Sequence, residues 1–133
     1  MKEAYLYEET GKENGVRCLL CSHGCRIRDG GKGLCGVREN HGGTLVSLVY
    51  GKVVARNVDP IEKKPLFHFL PGSRSYSVAT VGCNFHCSFC QNADISQMPA
   101  DHNRIWGQDV LPETLVADAA VSRAASIAYT YTE

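Results

Sequence analysis

The chain has 133 residues, 44% hydrophobic and 21% charged, enough for one ordinary domain or two small ones. Lys and Arg together number 14, as do Asp and Glu, so the formal net charge is zero and the basic excess of a general nucleic-acid binder is missing. No apolar stretch approaches membrane-spanning length and Met1-Lys2-Glu3-Ala4-Tyr5 carries no apolar signal region, so a cytoplasmic location without a membrane partner is expected. In that reducing compartment seven cysteines, an odd number, point to metal binding or thiol chemistry rather than to disulfides.

Residues 1–43 lack apolar periodicity, and Gly30, Gly31, Gly33 and Gly36 crowd around Cys35. Such a stretch is expected to build little core, and a metal tying side chains together would supply the missing folding energy. The segment therefore reads as a small cysteine-rich metal-binding module with Cys18, Cys21, Cys25 and Cys35 as ligands. Four thiolates suit zinc or an auxiliary [4Fe-4S] cluster, and the sequence does not choose between them. His23 reads as a loop histidine near a thiolate. Arg26, Arg28 and Arg38 read either as cations offsetting thiolate charge or as solvated surface residues.

Residues 44–74 read as a β-hairpin and an ordered connecting loop. Two β-branched runs, 44–50 and 52–58, flank Gly51, and Asp59-Pro60 is expected to end the second. The loop from Ile61 to Gly72 is expected to pack on Phe67 and Phe69, with His68 hydrogen-bonded between them and Glu62-Lys63-Lys64 a solvated charge run. In residues 75–133, Ser75–Val81 alternates as a strand and 94–109 is polar without period. A helix is expected over 112–125, with Pro112 at its first position, Glu113 at the positive end of its dipole and Leu115, Val116, Ala119 and Ala120 as its apolar stripe. Another strand follows over 126–132. The strand–helix–strand order implies a parallel pair. A full barrel of eight such units needs about 250 residues, so the chain reads as the front of a larger α/β protein.

The second cysteine group reads Gly82-Cys83-Asn84-Phe85-His86-Cys87-Ser88-Phe89-Cys90-Gln91-Asn92, a spacing of three residues and then two, directly after a strand. Three thiolates on a tight loop can hold three irons of a cubic cluster and leave the fourth without a protein ligand. The same cysteines with His102, or less easily His86, would also suit a zinc site of three sulfurs and one nitrogen. A non-catalytic zinc-binding structural or protein-interaction module is the rival reading of the chain. Asn92 and Asp94 are expected to steady the loop through turn hydrogen bonds.

The Cys83-x3-Cys87-x2-Cys90 pattern, with aromatic Phe89 before its last cysteine, resembles the signature of the radical S-adenosylmethionine superfamily. The run Asp59-Pro60-Ile61-Glu62-Lys63-Lys64-Pro65-Leu66-Phe67-His68-Phe69-Leu70-Pro71-Gly72 and the start Gly82-Cys83-Asn84-Phe85 resemble its branch related to pyruvate formate-lyase activating enzymes. More closely, they resemble the radical enzymes encoded with Memo-like and AMMECR-like proteins. This resemblance implies the N-terminal fragment of a partial (β/α) radical S-adenosylmethionine barrel. It implies a [4Fe-4S] cluster on Cys83, Cys87 and Cys90 as the catalytic group, S-adenosylmethionine on the open iron, and reductive cleavage to a 5′-deoxyadenosyl radical. An electron donor such as flavodoxin or ferredoxin and a protein substrate to be activated are implied as partners, with the fragment alone inactive. Phe89 would lie near the adenine as a contact, its alternative being a core aromatic. Thr132 and Glu133 would stand where the family has a GGE-like element that meets the cofactor's amino group, although the two glycines are absent here.

Overall fold

A computed structural model describes residues 1–11 and 13–130 of the chain. Eleven short strands and three short helices are found among them, in the order β1 (Lys2–Glu3), β2 (Tyr7–Glu9), β3 (Val16–Cys18), β4 (Arg26–Ile27), β5 (Arg38–His41), β6 (Thr44–Ser47), β7 (Lys52–Val53), β8 (Ala55–Pro60), β9 (Arg74–Ala79), α1 (Ala93–Ser96), α2 (Met98–His102), β10 (Gln108–Asp109), α3 (Pro112–Val121) and β11 (Ser126–Tyr129). They form open sheets ordered β2-β3-β4, β1-β6-β5, β10-β7 and β11-β9-β8.

Residues 1–47 build more core than their composition suggests. Ala4, Val16, Cys18, Ile27 and Leu45 form one buried cluster between the sheets β2-β3-β4 and β1-β6-β5. Asn40 is fully buried within this region, and its amide is satisfied: Nδ2 donates to the backbone oxygens of Asn14 (2.7 Å) and Ile27 (2.9 Å), and Oδ1 accepts from Gly43 N–H (2.9 Å). A buried amide with all these bonds made is a specifying feature rather than a cost. The expectation of a nearly coreless N-terminus is corrected on these residues.

The hairpin expected around Gly51 does not form. β6 instead pairs with β5, register His41↔Thr44, across Gly42 and Gly43, both of which have positive φ. Two left-handed residues in a two-residue loop match the twist of antiparallel strands, and with β1 on its other edge β6 has no edge left for 52–58. β7 pairs with β10 instead, and β8 pairs antiparallel with β9 from Ala55↔Ala79 to Pro60↔Arg74. β8 runs through Asp59 and Pro60, because an edge strand tolerates a residue with no N–H to give.

β9 is the central strand of its sheet and is buried from Ser75 to Ala79, as expected of a strand covered on both faces. β11 lies parallel to it, register Ser126↔Ser75 to Tyr129↔Val78. α3 covers one face: Leu115 and Ala119, one turn apart, pack with Tyr76, Val78, Val53 and Val110. The helix stops at Val121, short of the expected 125. Ser122 Oγ bonds Ala119 O at 2.8 Å, Arg123 turns left-handed at φ 55°, and Ala125 N–H already bonds Arg74 O in the sheet. On the other face Asp59, 8% exposed, accepts from Lys63 Nζ (2.8 Å), Lys64 Nζ (3.0 Å) and Ser77 Oγ (2.8 Å). Lys63 and Lys64 are thus tied to a buried carboxylate rather than forming a solvated run. Phe67, His68 and Phe69 are exposed, so the aromatic packing expected for that loop is absent. Glu62 Oε1 instead closes the loop by accepting Gly72 N–H at 2.7 Å, which holds its carboxyl below the usual carboxylate range.

The fold expectation is corrected as a whole. The described residues form a mixed α/β arrangement of open sheets, not a closed or partial radical S-adenosylmethionine barrel. One parallel pair and one ten-residue helix are too little to start a ring of βα units, and the other sheet pairings are antiparallel.

Candidate functional site: two thiol groups and a cavity at the strand ends

The loop carrying the second cysteine group leaves β9 through Thr80, Val81 and Gly82. Gly82 sits at φ 93°, and a Cβ placed there would lie 2.4 Å from Val37 Cγ1 and 2.8 Å from Cys35 O. Only glycine permits this approach, so the position fixes the start of the loop against the N-terminal region. Val81 shares a buried cluster with Val37 and Val49, against which Cys35, Ile95 and Met98 pack. His23 Nε2–H donates to Asn84 O at 2.8 Å, a second tie across 61 residues of sequence. His23, a loop histidine bordering the cleft of the first cysteine group, thus ties that cleft to the second cysteine loop.

The thiols of this loop face different surroundings. Cys87 is exposed, and Cys83 and Cys90 are partly buried. Cys83 Sγ accepts Phe85 N–H at 3.4 Å, and Cys90 Sγ lies 3.4 Å from Ser96 Oγ. Cys90 N–H bonds Cys87 O at 3.2 Å, closing a turn. Phe89 is 85% exposed and so is not a core aromatic. Asn92 begins α1 through its backbone oxygen, which accepts from Ile95 and Ser96, with no side-chain cap bond. Thr132 and Glu133 lie outside the described residues.

The first group is set in sheet. Cys18 ends β3 and is buried, Cys25 packs against the same apolar cluster, and Cys21 and Cys35 are partly exposed. All four border one small cleft of about 10 Å³, whose walls include Leu20, Ile27 and Leu34. Arg38 Nη1 donates to Cys18 Sγ at 3.9 Å, so one of the three nearby arginines does place its charge beside a sulfur.

Sharing a cleft is not the same as converging on a point. Among the described residues no group of three or more His, Cys, Asp or Glu side chains is placed so that it could hold a metal ion. The sulfurs of Cys83 and Cys90 contact local partners while Cys87 is exposed, and the cleft of the first group has room for about one water molecule. Neither donor set fits the group expected of it. The [4Fe-4S] cluster on Cys83, Cys87 and Cys90 is corrected on this geometry, and so is the zinc or auxiliary cluster on Cys18, Cys21, Cys25 and Cys35. With them go the assignment to the radical S-adenosylmethionine superfamily and its activating-enzyme branch, and the reductive cleavage of S-adenosylmethionine. The oxidoreductase role, the partnership with that cofactor, an electron donor and a protein substrate to be activated, and the rival zinc module are corrected likewise.

A larger cavity, about 300 Å³, lies where β9 and β11 end. Val53, Val78, Val110, Pro112 and Leu115 give it an apolar floor. Tyr50 and Tyr129 stand half-exposed or more, and Ser47, Thr80 and Thr130 supply hydroxyls at its border. Sequence patterning marks Val78 and Leu115 as apolar-face residues but does not signal that β7 and β10 join them, because both strands are two residues long.

Two proteins of Methanocaldococcus jannaschii are similar to this chain. The uncharacterized protein MJ0808 is 47% identical over all 133 residues, which cover 39% of its length. The uncharacterized protein MJ0674 is 30% identical over 95 residues, 70% of this chain and 23% of its own length. The chain thus spans well under half of either relative, and neither name states an activity. No family model matches the chain. No solved structure matches it. No helix among the described residues is long and apolar enough to cross a membrane.

Proposed function

We propose that the chain is a small-molecule-binding α/β module whose ligand lies across the carboxyl ends of β9 and β11, with the cysteine loop that follows β9 supplying functional thiols. The observation that carries this reading is the cavity's position and lining. In open α/β sheets the carboxyl ends of parallel strands are the usual place for a ligand. A cavity of about 300 Å³ with an apolar floor and a few hydroxyls at its border is of binding size. The ligand class that suits it has a flat apolar body and one hydrogen-bonding end.

The loop that leaves β9 just past the cavity-lining Thr80 carries Cys83, Cys87 and Cys90, and the proposal assigns these as functional thiols, with exposed Phe89 as a contact for the ligand or a further part of a longer protein. Cys18, Cys21, Cys25 and Cys35 are assigned as the second thiol set. A reducing cytoplasm, whose resting state keeps cysteines as free thiols, is the setting proposed.

The test is a titration of methyl-labelled protein with 2-naphthol, followed by NMR. Saturable shifts confined to the methyls of Val53, Val78, Val110 and Leu115 are expected, weakened roughly tenfold in Tyr129→Ala, which removes an exposed cavity wall without touching the core. If those methyls stay still up to the solubility limit, or the shifts scatter over the surface, the cavity is not a binding site.

A further inference from the structure

We propose that Cys18 and Cys25 are a reversible redox pair that closes a cross-strand disulfide when the protein meets a low-molecular-weight disulfide such as oxidised glutathione. The argument begins with register. In the β3–β4 hairpin Val16 faces Ile27 and Arg17 faces Arg26. The next step places Cys18 opposite Cys25, and Cys18 N–H donates to Cys25 O at 2.9 Å. Residues directly opposite on antiparallel strands point to the same face, with Cα atoms about 5.5 Å apart in a hydrogen-bonded pair. A disulfide needs Cα atoms about 4.4–6.8 Å apart. Of the cysteines in the first group, these two are the pair that strand pairing sets face to face.

Their surroundings divide the chemistry between them. Cys25 is partly exposed, whereas Cys18 is 6% exposed and sits in the apolar cluster. Arg38 Nη1 lies 3.9 Å from Cys18 Sγ, placing positive charge beside a sulfur that must carry negative charge when it attacks. Gly33 leaves space over Cys25, where a Cβ would stand 3.8 Å from its sulfur.

The step then runs in two exchanges. The Cys25 thiolate attacks one sulfur of oxidised glutathione, forming a Cys25–glutathione mixed disulfide and expelling one glutathione thiolate. The Cys18 thiolate attacks Cys25 Sγ, forming the Cys18–Cys25 bond and expelling the second. Two electrons pass from the two protein thiols to the glutathione disulfide, and the two thiol protons end on two glutathione molecules. Both exchanges run backward in excess reduced glutathione, whose thiolate attacks the protein disulfide and restores the two thiols.

The whole chain is equilibrated in glutathione buffers of stepped ratio, acid-quenched, alkylated and digested, and the disulfide-linked peptides are mapped by mass spectrometry. A Cys18–Cys25 link is expected to appear in oxidising buffer, to vanish in excess reduced glutathione, and to persist in Cys21→Ser and Cys35→Ser. Cys18→Ser is expected to halt at the mixed disulfide on Cys25, and Arg38→Gln to slow closure several-fold. Wild-type protein that forms no link, or that links Cys18 or Cys25 mainly to Cys21 or Cys35, overturns the pairing, and this readout does not depend on any variant folding.

Discussion

The two cysteine groups show how differently one residue type behaves in sheet and in loop. Cys18 ends β3, its N–H bonds Cys25 O beside β4, and both residues touch a buried apolar cluster, so sheet backbone holds them. Cys83, Cys87 and Cys90 belong to a loop fastened at its start by Gly82, at Asn84 by His23 and at its end by the Cys90–Ser96 contact, and Cys87 between the last two stands exposed. A thiol held by a sheet is specified by many cooperative contacts. A thiol held by a loop is only as fixed as its few ties.

The sharpest way to break the contrast is Leu45→Ala. Leu45 is fully buried in the cluster that holds Cys18, and truncation is expected to cost about 3 kcal/mol. Alkylation of native protein, read by mass spectrometry, should then accelerate at Cys18 and hardly at Cys87. Equal acceleration at both would mean that the groups share one unfolding unit.

Asp59→Asn comes next, at about 2 kcal/mol from the loss of charged bonds to Lys63 and Lys64. Lys63 first, then Ser77 and Lys64, hold the Asp59 carboxyl well below the usual carboxylate range. A depressed folded-state value gives stability that is present above the unfolded value, about 3.9, and is lost as pH falls below it toward the folded value. Urea midpoints measured from neutral pH downward should therefore fall less steeply in the variant than in the wild type. Parallel acid limbs would remove Asp59 from the account of β8–β9 stability.

Gly82→Ala should cost more than about 1 kcal/mol, since the added methyl meets Val37 and the backbone of Cys35 at a positive φ. Its signature is faster alkylation of Cys35 together with Cys83, detected site by site. An unchanged Cys35 would show that the two regions are not braced there.

The smallest effect is expected from His23→Ala. One exposed hydrogen bond to Asn84 O is lost, worth under about 1 kcal/mol, so melting should barely move. Amide exchange over 82–90 should nevertheless quicken. No change in that segment would reduce His23 to a surface residue.

Part of this was legible in the chain. Pro112 and Glu113 do open a helix, Leu115 and Ala119 of its expected apolar stripe face inward whereas Val116 and Ala120 are exposed, and the strand before Gly82 pairs parallel with the strand after that helix. These depend on neighbours in sequence, where periodicity carries the signal. The metal and cofactor readings failed differently. Cysteine spacing says which sulfurs lie within reach of one another, but Phe85 N–H and Ser96 Oγ take the sulfurs of Cys83 and Cys90 in directions that spacing does not encode. The hairpin around Gly51 failed because the Gly42-Gly43 turn pairs β6 with β5 and β1 occupies its other edge, a partner distant in sequence.

By itself the sequence determined the thiol inventory, the strand–helix–strand order near the end and the lack of any long apolar helix among the described residues. Only the tertiary structure decided that Cys18 N–H bonds Cys25 O, that His23 reaches Asn84, and that β7 and β10 help floor a cavity at the ends of β9 and β11. The physical reason is that turn and helix preferences are properties of adjacent residues. Pairing and cavity formation instead settle a competition among distant partners, whose outcome depends on every other contact in the fold.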